Sequence, residues 1–223
     1  MKITFISDTH TKHHLINEFL TEGDLIIHAG DITNVGEEGL LKDFCTWFDK
    51  LDYTYKIFIA GNHDKIFEKE PKIAMKIVNS FKNIIYLQDN FTIIEGIKIY
   101  GSPWQPEFFN WAFNLPRNGK ELKQKWEMIP NDIDILITHS PAFGCLDRVI
   151  NRDESLGCEK LTDRLETTKP KIHVCGHIHT GYGYSFNGDT HSFNASVLNE
   201  RYNFTQKPLT IEWNKNSNEF EFL

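Results

Sequence analysis

Short apolar runs alternate along the chain with longer amphipathic stretches. Lys2–Ser7, Asp24–His28, Tyr55–Ala60, Ile133–Thr138 and Ile172–Cys175 are rich in β-branched residues, too short for helices, and predict buried strands. Between them, Lys12–Leu20, Glu37–Leu51, Lys72–Phe81, Gly119–Met128 and Glu159–Thr168 predict helices. Glu37–Leu51 carries Leu40, Leu41, Phe44, Trp47, Phe48 and Leu51 on one face. Alternation of this kind predicts an α/β layered fold around a mainly parallel sheet. Ile84–Tyr100 and Gly183–Leu223 depart from it and read as strands and turns. The sheet is therefore expected to be mixed, with antiparallel hairpins at its edges and a second sheet packed on it.

Each apolar run leads into potential metal ligands. The first runs into Asp8 and His10, the second into Asp31, and the third into Asn62 and His63. The fourth runs into His139 and the fifth into His177 and His179. In open α/β sheets the carboxyl ends of the strands gather at one edge, where ligands bind. Asp8/His10 and His177/His179 are each spaced i, i+2, which on a strand points both side chains the same way. Imidazole nitrogen, carboxylate and amide oxygen suit Zn, Mn, Fe or Co. With His63 set beside them, the other seven side chains exceed the needs of one ion and suit two that share a bridge. Two divalent ions against two carboxylates and a hydroxide leave a positive pocket, fit for a phosphate ester. Gly-Asn-His-Asp is expected by chance only roughly 0.003 times in a chain of this composition. The other histidines are expected to be structural: His28 and His173 in the core, His13 and His14 at a helix start near the rim of the site.

Composition narrows the choice of partners. Across 223 residues, 24 Lys+Arg stand against 31 Asp+Glu, a net charge of −7 that argues against a broad basic face for duplex nucleic acid. No repeat or linker interrupts the chain, so residues 1–223 are expected to form a single domain. No run approaches the length needed to cross a membrane, and the start lacks the apolar core of a signal peptide. Cys45, Cys145, Cys158 and Cys175 form no CxxC pair and are expected to be reduced thiols in a cytoplasmic protein. The Asn-x-Ser/Thr sequons at Asn90, Asn194 and Asn203 then have no role.

Asp8-x-His10, Gly30-Asp31, Gly61-Asn62-His63-Asp64, His139 and Gly176-His177-x-His179 resemble the full motif set of the calcineurin-like metallophosphoesterases. The stretches IHAGDITN, YKIFIAGNHD, IYGSPWQPEFFNWAFNLPR, HVCGHIHTGYG and FNAS are similar to those of the metallophosphoesterase-domain-containing family, which is related to class III cyclic-nucleotide phosphodiesterases. The resemblance covers nearly the whole chain, with departures in Gly144–Leu156 and Asn199–Lys207. It implies a four-layer α/β sandwich, two mixed sheets flanked by helices. It also implies two divalent transition-metal ions (Mn, Fe, Zn or Co), the first held by Asp8, His10, Asp31 and His179. The second would be held by Asp31, Asn62, His139 and His177, with Asp31 bridging.

On this resemblance a hydroxide shared by the ions attacks phosphorus, and His63 faces the leaving-group oxygen. Asp64 either orients His63 or caps the following helix. The implied substrate is a small phosphoester or nucleotide, cyclic nucleotides foremost. A phosphomonoesterase is the alternative within the fold, and a catalytically weak nucleotide-binding scaffold the alternative outside catalysis. Some members lose a histidine of the last motif and become poor catalysts; here both His177 and His179 are present. A homodimer is left open. The aromatic loop Ser102–Trp111 is read either as a stacking surface for a nucleobase or as cover for a hydrophobic flank. Arg148, Arg152 and Asn194 are candidates for phosphate or ribose contacts.

Overall fold

A computed structural model describes residues 1–149 and 154–223. Arg152, a candidate phosphate contact, lies outside the described residues. Two six-stranded mixed sheets form the centre of the protein. The first runs, edge to edge, Glu219–Phe222, Leu209–Asn214, Lys2–Ile6, Gly23–His28, Tyr53–Phe58 and Ile84–Tyr86. Its last four strands are mutually parallel, and the C-terminal hairpin adds antiparallel to Lys2–Ile6. The second runs Gly183–Phe186, His191–Asn194, Ile172–Cys175, Ile135–Thr138, Ile97–Ser102 and Asn90–Ile94. Four parallel strands again lie inside, with an antiparallel strand at each edge.

Three apolar layers explain why the strands read as continuous hydrophobic runs. Ile3, Phe5, Leu25, Ile27, Ile137 and Val174 fill the space between the sheets. Their neighbours face outward: Ile6, Ile26 and Phe58 pack under helices Glu38–Asp49 and Pro71–Val78. On the far side, Tyr100 and Leu136 pack under helices Lys120–Glu127 and Glu159–Thr168. The inner parallel strands are buried on both faces, so polar alternation is absent from them. The result is the expected order of helix, sheet, sheet and helix.

One predicted helix takes another form. Residues 13–19 make a 3₁₀ helix rather than an α-helix. Only His13 and Ile16 in it are buried, while Leu15 is half exposed. A buried stripe spaced by three matches the eclipsed i, i+3 positions of a 3₁₀ turn, not the wider stripe of an α-helix. No helix among the described residues is long and apolar enough to cross a membrane. All four cysteines are free thiols.

Candidate metal centre

The parallel strands of both sheets end at one rim, and the residues just beyond them converge there. Asp8 and His10 follow Lys2–Ile6, Asp31 follows Gly23–His28, and Asn62 and His63 follow Tyr53–Phe58. His139 follows Ile135–Thr138, and His177 and His179 follow Ile172–Cys175. The i, i+2 spacing does not act through strand geometry, contrary to the expectation from sequence. Asp8, His10, Asp31 and His177 all have left-handed backbones, with φ of 55°, 41°, 56° and 65°. The chain turns sharply at each strand end, and these turns aim the side chains. Asp and His enter this region more readily than most residues, at a cost of order 1–3 kcal/mol each where the surroundings enforce it.

Glycines let the turns approach one another. A Cβ on Gly61 would strike the backbone nitrogen and carboxylate of Asp31. One on Gly176 would strike the side chains of Ser7 and Asp8.

The donors fall into two groups. Asp8, His10 and His179 form one, and Asp31, His139 and His177 the other, the ligand atoms of each lying within 4.8 Å of one another; His10, Asp31 and His63 meet the same limit across the two. Asp31 reaches both, with Oδ1 3.4 Å from His139 Nε2 and Oδ2 3.5 Å from His10 Nε2. Asp8 Oδ1 is 3.3 Å from His179 Nε2, and Asn62 Oδ1 is 2.9 Å from His139 Nε2. Donors about 2.0–2.2 Å from a common ion stand roughly 3.0–3.5 Å apart in octahedral or tetrahedral order. The spacing therefore fits metal ligation. His10 fits it further: the ring is buried, and neither nitrogen has a hydrogen-bond partner among the described residues. A buried imidazole left without partners is uncommon unless an ion completes it.

Surrounding groups fix the ring faces. His139 Nδ1–H donates to the Ala29 carbonyl at 2.9 Å, and His179 Nδ1–H to that of Asn199 at 2.9 Å. Each therefore turns Nε2 toward the carboxylates, the arrangement ligating histidines usually have. The Asp8 carboxylate accepts the His177 backbone N–H, and the Ser196 hydroxyl lies 2.8 Å from its Oδ2.

Burial pushes His10 down to about 4 and His177 to about 3, so both rings are neutral. Burial also opposes charge on His139 and His179, yet Asp31 and Asp8 overcome it and raise them to about 9 and about 8. Burial likewise works against the charged form of Asp8, but the His179 contact and nearby imidazoles hold it well below the usual carboxylate range.

His63 stands beside this cluster. Its Nδ1–H donates to the Asn34 carbonyl at 2.6 Å, leaving Nε2 3.9 Å from Asp31 Oδ2. Trp111 stacks on its outer face. Asp64 neither contacts the His63 ring nor caps a helix. Its buried carboxylate accepts N–H groups from Gly61, Ile32 and Thr33, and the Thr33 hydroxyl. It ties the loop carrying Asn62 to the loop carrying Asp31. Burial, together with the nearby Asp31 charge, raises its pKa to about 6 despite those hydrogen bonds.

A cleft of about 540 Å³ opens over the cluster, walled by His63, Phe108, Phe109, Arg117 and Tyr202. The aromatic loop thus divides its work. Trp104 packs on the core and donates to Asp89, Trp111 backs His63, and Phe108 and Phe109 face the cleft. Asn194 does not face substrate: it is buried, and its amide donates to the carbonyls of Leu146 and Ile178, bracing the turn that bears His177. Arg148 lies in the short strand Arg148–Val149, whose Val149 lines the cleft while Arg148 lines a neighbouring pocket with Leu146, Thr180 and Tyr182. Ser196 and Tyr202 are not singled out by the sequence. Ser196 sits in the FNAS stretch, while Tyr202, edge-on to the rings of His10 and His179, has no local signal.

Fold and site together define a metal-dependent phosphoesterase. The family model for calcineurin-like phosphoesterases matches residues 1–181, and the chain belongs to that family. Human metallophosphoesterase domain-containing protein 1 is 40% identical over 93% of this chain and 69% of its own length. A UPF0046 protein of Caenorhabditis elegans is 36% identical over 95% of this chain and 60% of its own. Among solved structures, a protein of Thermus thermophilus shares the fold at TM-score 0.64 and 14% identity, covering 99% of this chain and 97% of that one. Phosphopantetheinyl hydrolase from Mycobacterium tuberculosis does so at 0.60 and 16%, covering 90% of each.

Proposed function

We propose that the protein hydrolyses phosphodiester bonds of small nucleotides, cyclic nucleotides among them, with two divalent transition-metal ions. The observation that carries this reading is the pair of donor groups sharing Asp31 beneath one cleft. Asp8, His10, Asp31 and His179 would hold one ion; Asp31, Asn62, His139 and His177 would hold the other. Such ions, when bound, neutralise phosphoryl oxygens and lower the pKa of a shared water.

The chain's own groups do the rest. Asn34 fixes the proton on His63 Nδ1, so Nε2 is the atom that exchanges a proton with the leaving oxygen. Trp111 keeps that ring from turning away. Phe108 and Phe109 offer flat apolar surface to a nucleobase, and the cleft volume suits a nucleotide. The net charge of −7 disfavours long nucleic acid, which needs phosphate contacts beyond the metals.

A metal-supplemented assay tests the reading with p-nitrophenyl phosphate, its bis ester, and 2′,3′- and 3′,5′-cyclic AMP. Turnover of the diesters above the monoester supports it. Monoester preference would make the protein a phosphomonoesterase, and inactivity on all four with several metals would leave a nucleotide-binding scaffold.

A further inference from the structure

A second cluster of metal-type donors lies outside the cleft, where the 3₁₀ turn of residues 13–19 meets helix Glu38–Asp49. Asp43 Oδ2 stands 3.2 Å from His13 Nε2 and 3.5 Å from His14 Nε2. The three ligand atoms all lie within 4.8 Å of one another. Tetrahedral zinc, with bonds of about 2.0–2.1 Å, sets its ligands roughly 3.3–3.4 Å apart. His13 adds an independent sign. Its side chain is 1% exposed, and neither ring nitrogen has a hydrogen-bond partner among the described residues, although Asp43 lies so close. The ring is held by packing on Trp47 and Phe44, 4.7 and 5.8 Å between centroids. It is pre-oriented without being satisfied.

From this we infer that His13, His14 and Asp43 form a peripheral site for a divalent transition-metal ion of the Zn²⁺ class, with solvent in its remaining position. Two imidazoles and one carboxylate suit Zn²⁺, Co²⁺ or Ni²⁺ rather than Ca²⁺ or Mg²⁺, which prefer oxygen. Burial, with His14 beside it, lowers His13 to about 4, so its ring is neutral and available at pH 7. His14 and Asp43 are more than half exposed, which leaves a path for the ion. The ion would pin the 3₁₀ turn to the helix, beside the contact that Asn17 Oδ1 already makes with Trp47 Nε1 at 2.7 Å. That turn begins three residues after His10, so the clamp would steady the entry of the chain into the main centre.

Zn²⁺ equilibrium dialysis of the full chain tests the site. Because His14 and Asp43 are exposed, His14→Ala and Asp43→Asn should melt like wild type in EDTA. Each is expected to bind one Zn²⁺ fewer than wild type at micromolar free metal. In an Asp31→Asn background, which weakens the main centre, Zn²⁺ should still raise the melting temperature, and adding His14→Ala should abolish that rise. Equal zinc uptake by wild type and both single variants would overturn the proposal and leave an ion pair. Failure of the main centre alone would show instead as zinc uptake that Asp31→Asn does not reduce.

Discussion

The imidazole of His63 lies face to face with the indole of Trp111, ring centroids 3.8 Å apart and planes 27° from parallel. Lys65 Nζ sits 4.3 Å from the Trp111 centroid. Since Asn34 holds Nδ1, indole and carbonyl together leave the ring one orientation. His63→Ala is expected to keep the metals and lower turnover by roughly 10²–10⁴-fold, the range for a lost acid–base group. The loss should shrink with p-nitrophenol as leaving group, which needs little protonation. Trp111→Leu should lower kcat by less, with metal content unchanged. Metal analysis beside kcat for good and poor leaving groups checks both; equal losses for all leaving groups would argue against proton transfer.

Asp64 acts through the loops it ties. Its two oxygens accept four hydrogen bonds, at 3.1 and 2.8 Å on Oδ2 and two of 2.8 Å on Oδ1. Asp64→Asn keeps one acceptor oxygen and turns an NH₂ group toward buried N–H donors. Each orphaned donor costs about 1–3 kcal/mol. A protein of this size loses about 2–4 °C of melting temperature per kcal/mol, so two orphaned donors, about 2–6 kcal/mol together, should lower it by roughly 4–24 °C. A melt in EDTA measures it free of metal effects. An unchanged melting temperature would refute the bracing role.

Much of the fold and site is legible in the sequence because strands buried on both faces read as unbroken apolar runs. Polar residues that interrupt such a pattern at strand ends stand out. Asp8, Asp31, Asn62, His139 and His177 stand out that way, and each lies at the common rim. The turns themselves are not legible. Left-handed backbones at Asp8, His10, Asp31 and His177 follow from packing between loops distant in sequence, not from the local period. Asn194 misleads for the same reason. Its partners, the Leu146 and Ile178 carbonyls, are 48 and 16 residues away, and nothing local marks an asparagine as a brace. The 3₁₀ turn is hidden because Leu15, Ile16, Phe19 and Leu20 suggest a helical face, yet Leu15 is 51% exposed.

The buried His173 links stability to pH. The Thr138 hydroxyl donates to the Ser140 carbonyl, so His173 Nε2–H must donate to Thr138 Oγ1, and Nδ1 is left without a partner among the described residues. Burial lowers His173 to about 4, against an ordinary value near 6.5 in the unfolded chain. The folded form therefore resists a proton that the unfolded form accepts. The stability involved is fully present above pH 6.5 and is lost as pH falls toward 4. His173→Leu fills similar space and removes this titration. Between pH 7 and pH 5 the variant should lose about 2 kcal/mol less stability than wild type. Denaturant unfolding in EDTA at both pH values measures the difference, and parallel losses would refute it.

His177 separates binding from catalysis. Its backbone has φ of 65°, which glycine adopts without strain, and its N–H donates to Asp8 at 3.0 and 3.1 Å. His177→Gly therefore removes an imidazole while the turn and its hold on Asp8 persist. The group of Asp8, His10 and His179 keeps all its donors. The set of Asp31, Asn62, His139 and His177 loses one of four, so the ion there should become only partly occupied at micromolar metal. With one ion fewer, the attacking water is less acidified and the phosphoryl oxygens less neutralised. Phosphodiester hydrolysis should fall steeply, while a nucleoside monophosphate still binds in calorimetry through the remaining ion and the cleft walls. Metal analysis of the same sample should show a loss of up to one ion per chain. A variant that kept full metal content and wild-type turnover would remove His177 from the metal set and sink the shared-carboxylate arrangement built on Asp31.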